Sequence, residues 1–428
     1  MSEQPLRVAL AGLGTVGGGL VRVLEMNKDL IRQRTGRDIE IRKVLVRDMH
    51  KPRSVQLPQS AVLTDKAEDL VNDPDIDVLV ELMGGLNAAH TLITGALENG
   101  KHVVTANKAL LAENGIGLFS KAAEKGVHLR YEAAVAGGIP IIETLKQSLA
   151  GNGIDSLLGI LNGTSNYILS QMSENGLDFN TALRQAQELG YAEADPTLDI
   201  DGHDAAHKLV LLVRLAYGVE YPYTAMPIRG IRGMDAMDIS FADEFGCSIK
   251  LIARASMVNG KLDAGVFPTL VQHDYLLARV NGSFNAIRLK GNAVGSLFLH
   301  GRGAGDLPTA SAVMGDLVAV ARGEAPCNTG FMSQTPEAAD ILPPEDSINR
   351  YYVRVMVHDT PGVLRDIAAA MADEGISMAQ VMQKAETPNG VPLVFMTHKA
   401  SARAMNNALA RAVKAGLLTA PAVAYRVL

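Results

Sequence analysis

Tryptophan is absent, cysteine occurs twice, and aromatic residues make up 4% of the 428-residue chain. Cys247 and Cys327 cannot build a disulfide framework, and such scarcity fits a reducing compartment such as the cytoplasm. Neither lies in a recognisable motif, so both are expected to be inert core residues. No apolar run approaches the roughly 18 residues that a membrane span requires. The start, "MSEQPLRVALAGLG", lacks the charged-then-apolar build of a signal peptide. Charge of one sign is also missing, since 40 Lys and Arg stand against 46 Asp and Glu for a net −6. That gives no electrostatic reason to bind nucleic acid or an anionic membrane. No short repeat or low-complexity tract stands out. What remains is 47% hydrophobic and 20% charged, a globular composition long enough for two or three domains.

The first third alternates between two periodicities. "LRVALA" (6–11) is a short apolar run ending in glycines, and the stretch from Val16 to about Ile31 is apolar at helical spacing. "IEIRKVLV", "IDVLVEL" (76–82), "KHVVTA" (101–106) and "VHLRYEA" (127–133) predict strands, with helical stretches such as "AAHTLITGALENG" between them. This alternation predicts an α/β domain over residues 1–140, with a mostly parallel sheet and helices on both faces.

After Gly151 the pattern changes. "IDSLLGILN" predicts a strand, "TSNYILSQMSENG" and "FNTALRQAQELG" predict helices ended by glycine, and 203–217 predicts an apolar-rich helix. "SIKLIARASMVNGKLDAGVFPTLV" and "FNAIRLKGNAVGSLFLHG" are β-rich. Residues 141–305 are therefore expected to form an α+β domain. "DLPTASAVMGDLVAVARG" (306–323) predicts a long helix that returns to the first domain. The stretch 330–349, with three prolines and several acids, reads as a linker. Residues 350–428 follow β-α-β-β-α-β, the ferredoxin-like order.

"GLGTVG" (12–17) follows a predicted strand and opens a predicted helix. Gly12 makes the tight turn, Gly14 lets a pyrophosphate approach the backbone, and Gly17 lets helix and strand pack closely. Leu13, Thr15 and Val16 complete the turn, and the helix N-terminus faces the phosphates. The first domain is therefore expected to be a Rossmann-type dinucleotide-binding domain that takes NAD or NADP. An acid after the second strand would bind the ribose hydroxyls, and an Arg would accept a 2′-phosphate. Arg47 and Asp48 are both present. With Lys51 and Arg53 nearby, Arg47 favours NADP or dual use, against a plain solvated loop.

"YAEADPTLDIDGHDAAHKL" (191–209) holds five carboxylates, two histidines and a lysine. His203 and His207 have the spacing of a zinc-protease helix, but Asp204 stands where Glu is expected and is one methylene too short. A solvated helix face fits poorly beside "LVLLVRLAY". The third reading is an amino-acid site. Asp204 and Lys208, four apart, share one helix face. Carboxylates suit a substrate ammonium, and a lysine can exchange a proton with a reacting oxygen.

"GLGTVG", "TANKALLA", "YEAAVAGGIPII", "LNGTSNYIL", "LGYAEADPTLDIDGHDAAHKL" and "GRGAG", in this order over about 6–323, resemble homoserine dehydrogenase. "VHDTPGVLRDIAAAMADEGI" resembles an ACT domain, a ligand-binding regulatory module. The resemblance makes 141–305 the substrate-binding and dimerisation domain. It implies reversible NAD(P)H-dependent reduction of L-aspartate 4-semialdehyde to L-homoserine, on the way to threonine, isoleucine and methionine. It makes Lys208 the proton donor to the aldehyde oxygen and places Lys108 near the nicotinamide and substrate. A lysine opening a helix is electrostatically unfavourable, which argues for a functional reason there. Glu193, Asp199 and Asp204 would hold the amino group, with Thr164 and Tyr191 lining the site. Asp195 and Asp201 are left as capping or solvated acids. Gly305 of "GRGAG" would touch the cofactor. Glu132, with the carbonyls of Val135, Gly137 and Ile139, would bind a structural monovalent cation, sodium or potassium. Read from residues alone, that stretch is only a strand-to-helix turn. The "DTPGVL" turn, with Asp359, Pro361, Gly362 and Val363, would dock an amino-acid effector, threonine by pathway position. A homodimer is implied, raised to a homotetramer by ACT pairing.

Overall fold

The computed structural model describes residues 4–428 apart from 334, 386 and 389. The chain divides into two compact units. One comprises Met1–Leu157, Asp204–Met226 and Phe284–Ala339; the other comprises Leu158–His203, Pro227–Ser283 and Asp340–Leu428.

The first unit is built on a six-stranded parallel sheet. Its strands run in the order Val62–Thr64, Ile39–Leu45, Leu6–Ala11, Val78–Glu81, His102–Thr105, Leu129–Arg130. The central strands are continuous apolar runs because both of their faces are covered. Val8, Leu10, Val78, Val80 and Val104 have no exposed surface. The strand order reverses between Leu6–Ala11 and Val78–Glu81, which opens a crevice at the carboxyl ends of these two strands. The helix Asp306–Ala321 packs on Thr15–Met26, and its Val313, Met314, Leu317 and Val320 enter the same core. A hairpin of Phe284–Gly291 with Gly295–Arg302 belongs to this unit as well.

Two expected elements differ. The stretch expected to be one helix from Val16 to Ile31 is two, Thr15–Met26 and Lys28–Thr35. The break falls at Asn27, whose backbone leaves helical geometry (φ −119°, ψ 18°) and whose side-chain amide bonds back to the Val23 carbonyl. The expected strand 127–133 is paired only over Leu129–Arg130. The chain then curls into a 3₁₀ turn, and the Glu132 N–H goes to Asp316 Oδ2 at 2.9 Å rather than to a strand neighbour.

In the second unit, Cys247–Val258 and Lys261–Gln272 pair antiparallel around Asn259-Gly260. Both turn residues have positive φ, 51° and 81°, the two-residue turn that an Asn-Gly pair favours. Val423–Val427 adds in parallel to Lys261–Gln272, followed by Ile348–Val357, Val391–Thr397 and Met378–Gln383, all antiparallel. The last four strands thus stand in the order fourth, first, third, second of a ferredoxin-like unit. The helices Val363–Ala372 and Ala402–Lys414 pack on them through Ile367, Met371, Met405 and Ala408. The first of these strands starts inside the stretch read as linker, where Ile348 and Asn349 pair with Ser401 and Ala400. Asp238, in the helix Ala236–Glu244, braces the same strand by accepting from Arg354 at 2.6 and 2.9 Å and from the Tyr352 hydroxyl at 2.8 Å.

Cys247 is buried, and burial pushes its thiol up to about 11, which suits an inert residue. Cys327 is exposed, contrary to expectation, because it lies in a surface stretch beyond the helix that ends at Ala321. No helix among the described residues is long and apolar enough to cross a membrane.

Candidate active site

The glycine motif forms the turn that its spacing predicts. Gly12 has φ +100°, and a Cβ there would lie 2.7 Å from the Leu82 carbonyl oxygen. A Cβ on Gly17 would lie 2.2 Å from the Gly12 carbonyl oxygen, so only glycine allows this approach of helix to turn. Nothing lies within 4 Å of a Cβ on Gly14, and Gly14 and Thr15 face solvent. Gly14 is the N-cap of its helix and provides no side-chain cap. Gly305, N-cap of Asp306–Ala321, likewise provides none. The start of Asp306–Ala321 is tied to the middle of Thr15–Met26, since Arg22 Nη2 meets Asp306 Oδ2 at 2.7 Å and a Cβ on Gly19 would lie 2.6 Å from the Asp306 carbonyl oxygen. The uncapped N-terminus after Gly14, at the glycine turn, is an anion site suited to a pyrophosphate. Leu13 and Val16 are half-buried against the core. Arg47, exposed, follows the second strand by two residues. The neighbouring Asp48 carboxylate accepts the His50 N–H at 2.8 Å.

In the same unit, Lys108 opens the helix Lys108–Glu124, and Asn107 caps it by accepting the Leu110 N–H at 3.2 Å. Lys208 lies on the helix His203–Tyr217. Asp204 bridges the two lysines, with Oδ2 2.7 Å from Lys208 Nζ and Oδ1 3.2 Å from Lys108 Nζ. The side chains of Asp204 and Lys208 are only 10% and 11% exposed, whereas that of Lys108 is 38% exposed. His207 does not join them. Its ring stacks on Tyr223 at 4.3 Å, and Nε2 meets Glu113 Oε1 at 3.1 Å. Burial lowers the His207 pKa, against the pull of Glu113 and Asp204, so the ring is neutral near pH 7.

The second unit carries the other predicted substrate residues. Thr164 Oγ1 donates to the Tyr191 carbonyl at 2.7 Å, and the exposed Tyr191 ring packs on Tyr167. Asp199 Oδ1 accepts from Asn162 Nδ2 at 2.7 Å, while Asn162 Oδ1 caps the helix Gly163–Asn175 through the Ser165 N–H. Glu193 is exposed, and its backbone carbonyl accepts from Gln187. Asp195 accepts the Thr197 N–H, and Asp201 pairs with the exposed Arg232 at 2.7 and 2.8 Å, so these two acids cap and tie the surface.

At the predicted cation loop, Glu132 is buried and accepts the N–H groups of Ile142 and Glu143 at 2.9 and 2.8 Å. Burial first, then the nearby Asp316, pushes its carboxyl up to about 8; burial pushes that of Asp316 to about 6. Ala136 and Gly137 both have positive φ, 56° and 51°, which curls the backbone between Val135 and Ile139. A buried carboxyl and curled backbone carbonyls are the oxygen donors a hard monovalent cation takes; a cation would favour the ionised form of Glu132, and a carboxylate accepting two bonds retains lone pairs for one. The residues therefore fit the group. In the "DTPGVL" turn, Asp359 and Pro361 are exposed, and Gly362, with φ +96°, caps the helix that Val363 opens.

The missed residues are those that hold others in place. Asn107 and Asn162 carry a legible signal, an Asn directly before an apolar-periodic run. Glu113 and Glu81 read only as ordinary surface and strand acids.

A parallel sheet with a glycine turn at its order reversal and a lysine–carboxylate–lysine cluster defines an NAD(P)-dependent oxidoreductase. Comparison with known proteins narrows the class. The family described as homoserine dehydrogenase matches residues 140–318, its NAD-binding domain matches 12–132, and the ACT domain matches 351–414. The homoserine dehydrogenase of Pseudomonas aeruginosa is 42% identical, with 99% of both chains covered. A crystal structure of a homoserine dehydrogenase from Thiobacillus denitrificans superposes with a TM-score of 0.94 at 41% identity, covering 99% of this chain and 98% of that one. A hyperthermophilic archaeal homoserine dehydrogenase in complex with NADPH matches 74% of this chain and 97% of that one, at 27% identity and TM-score 0.61. The chain belongs to the homoserine dehydrogenase family.

Proposed function

We propose that the chain reduces L-aspartate 4-semialdehyde to L-homoserine with NADPH, and that Lys208 is its proton donor. The observation that carries this is Asp204 bridging Lys208 and Lys108 on the unit that bears the dinucleotide turn. When bound, the cofactor supplies a hydride to the carbonyl carbon. Lys208 gives its proton to the oxygen that becomes the alcohol, and Asp204 orients the ammonium for that transfer. Lys108, more exposed, polarises the same oxygen or positions it. On this unit Asp204 holds the substrate ammonium; on the other unit, Glu193, Asp199, Thr164 and Tyr191 are assigned to substrate binding by the resemblance. Gly12, Leu13, Gly14, Thr15, Val16, Gly17 and Gly305 hold the pyrophosphate. Arg47 takes a 2′-phosphate, which makes NADP the preferred cofactor. NADPH consumption with the semialdehyde, compared with Lys208→Ala, tests the assignment.

Glu132 with the carbonyls of Val135, Gly137 and Ile139 holds sodium or potassium and braces its loop; a rise in melting temperature with added cation tests this. Asp359, Pro361, Gly362 and Val363 dock threonine as a feedback inhibitor in the route to threonine, isoleucine and methionine. Threonine that left both activity and melting temperature unchanged would remove this reading. The middle domain forms a homodimer. Met378–Gln383, last strand of its sheet, supports pairing of the terminal domains into a homotetramer, measurable by sedimentation. The chain acts in the cytoplasm.

A further inference from the structure

Glu81 is the last residue of the strand Val78–Glu81, at the reversal of strand order, and it is fully buried. Its Oε1 accepts the N–H groups of Met83 at 2.8 Å and Gly84 at 3.1 Å, and its Oε2 accepts the Thr105 hydroxyl at 2.6 Å. None of these three donors is charged.

The network continues through Thr105. Its Oγ1 accepts the Asn107 N–H at 3.0 Å, and Asn107 Nδ2 donates to the Gly85 carbonyl at 2.7 Å. That closes a ring joining the ends of two neighbouring strands to the loop 82–85. One side of the ring carries the N-cap of the helix that Lys108 opens. The other side stands against the dinucleotide turn, where the Leu82 N–H donates to the Ala11 carbonyl at 2.8 Å and Gly12 touches the Leu82 carbonyl.

Only an acceptor satisfies this ring. An amide in place of the carboxylate turns its NH₂ either toward the Met83 and Gly84 N–H groups or toward Thr105. In the second case the hydroxyl accepts from both the amide and Asn107, and its own hydrogen loses its acceptor. A buried carboxylate among neutral donors is costly unless both oxygens are hydrogen-bonded, and here they accept three bonds.

We infer that Glu81 is a positioning residue, whose carboxylate fixes Lys108 relative to the dinucleotide turn through Thr105 and Asn107. This rests on the reading of Lys108 as a site residue. Ring strain or a slack cap would displace the ammonium that now stands 3.2 Å from Asp204 Oδ1. Misplacement by about 1 Å costs on the order of 100-fold in rate.

The test compares Glu81→Gln, Thr105→Val and Thr105→Ser, with Glu81→Gln also placed in a Lys108→Met background. The readouts are kcat, KM for the semialdehyde, NADPH affinity and melting temperature. Folded Glu81→Gln is expected to lose about 10- to 100-fold in kcat/KM, Thr105→Val to match it, and Thr105→Ser to restore it. In the Lys108→Met background, Glu81→Gln should cost no more than about twofold further. Wild-type activity in Glu81→Gln, or losses that multiply in the double variant, would overturn the inference. Should Glu81→Gln fail to fold, the Thr105 pair decides, and an unimpaired Thr105→Val overturns it. An unimpaired Lys108→Met sinks the parent reading of Lys108 and this inference with it. An unimpaired Glu81→Gln beside an impaired Lys108→Met sinks this inference alone.

Discussion

Lys208 Nζ donates to Asp204 Oδ2 at 2.7 Å across one turn of the helix His203–Tyr217, and both side chains are about nine-tenths buried. Removing one partner of a buried pair leaves the other charge uncompensated. Here the effect is doubled, because Lys108 leans on the same carboxylate. Asp204→Asn keeps the shape and removes the charge. It is expected to lower kcat/KM by roughly 100-fold or more while NADPH affinity, measured by fluorescence titration, stays at the wild-type value.

The glycines of the dinucleotide turn separate folding from binding. A methyl on Gly17 collides with the Gly12 carbonyl, so Gly17→Ala should destabilise the fold by about 1–3 kcal/mol in denaturant titrations. A methyl on Gly14 meets nothing of the protein. Gly14→Ala should therefore cost only the small penalty of a poorer N-cap, less than Gly17→Ala, and still bind NADPH more weakly.

Arg47 is exposed after the second strand, with Asp48 already engaged by the His50 N–H. Loss of a charge-assisted bond to a 2′-phosphate is worth about 1.5–3 kcal/mol. Arg47→Ala should raise KM for NADPH by roughly 10-fold or more and leave that for NADH unchanged. Equal effects on both cofactors would return Arg47 to a solvated loop.

His128 is buried, its Nε2 2.9 Å from the Glu324 carbonyl, and burial with the nearby Arg130 lowers its pKa to about 4. The unfolded chain then binds this proton more tightly than the folded one between about pH 6.5 and 4. Stability is full above the unfolded value and falls as pH drops through that window, by up to about 3 kcal/mol from this group. Because the raised carboxyls of Glu132 and Asp316 act in the opposite sense over the same range, the His128 share is read by difference: from pH 7 to pH 5, chemical denaturation should show the intact chain losing stability relative to His128→Gln.

Much of this architecture is legible in the sequence because local pattern and tertiary role agree. The helix 203–217 begins and ends where its apolar spacing does, and the glycine turn has the backbone that its motif demands. What escaped depends on partners distant in sequence. The helix breaks at Asn27 through a change of backbone geometry that hydrophobic periodicity does not register. Residues 131–134 leave the sheet because the Glu132 N–H finds Asp316, 184 positions away. Glu81 reads as one more strand residue until Thr105 and the loop behind it are in place. The resemblance named Lys108 and Asp204 as site residues, while the carboxylate shared between Lys108 and Lys208 is a fact of the fold.

The most direct test of the central claim is the rate of NADPH oxidation with L-aspartate 4-semialdehyde, in the intact chain and in Lys208→Ala. The intact chain should turn over. Lys208→Ala should bind NADPH normally and lose roughly 100- to 10,000-fold in kcat, the range for a positioned proton donor. An intact chain without turnover, or a Lys208→Ala variant with undiminished kcat, would contradict the account.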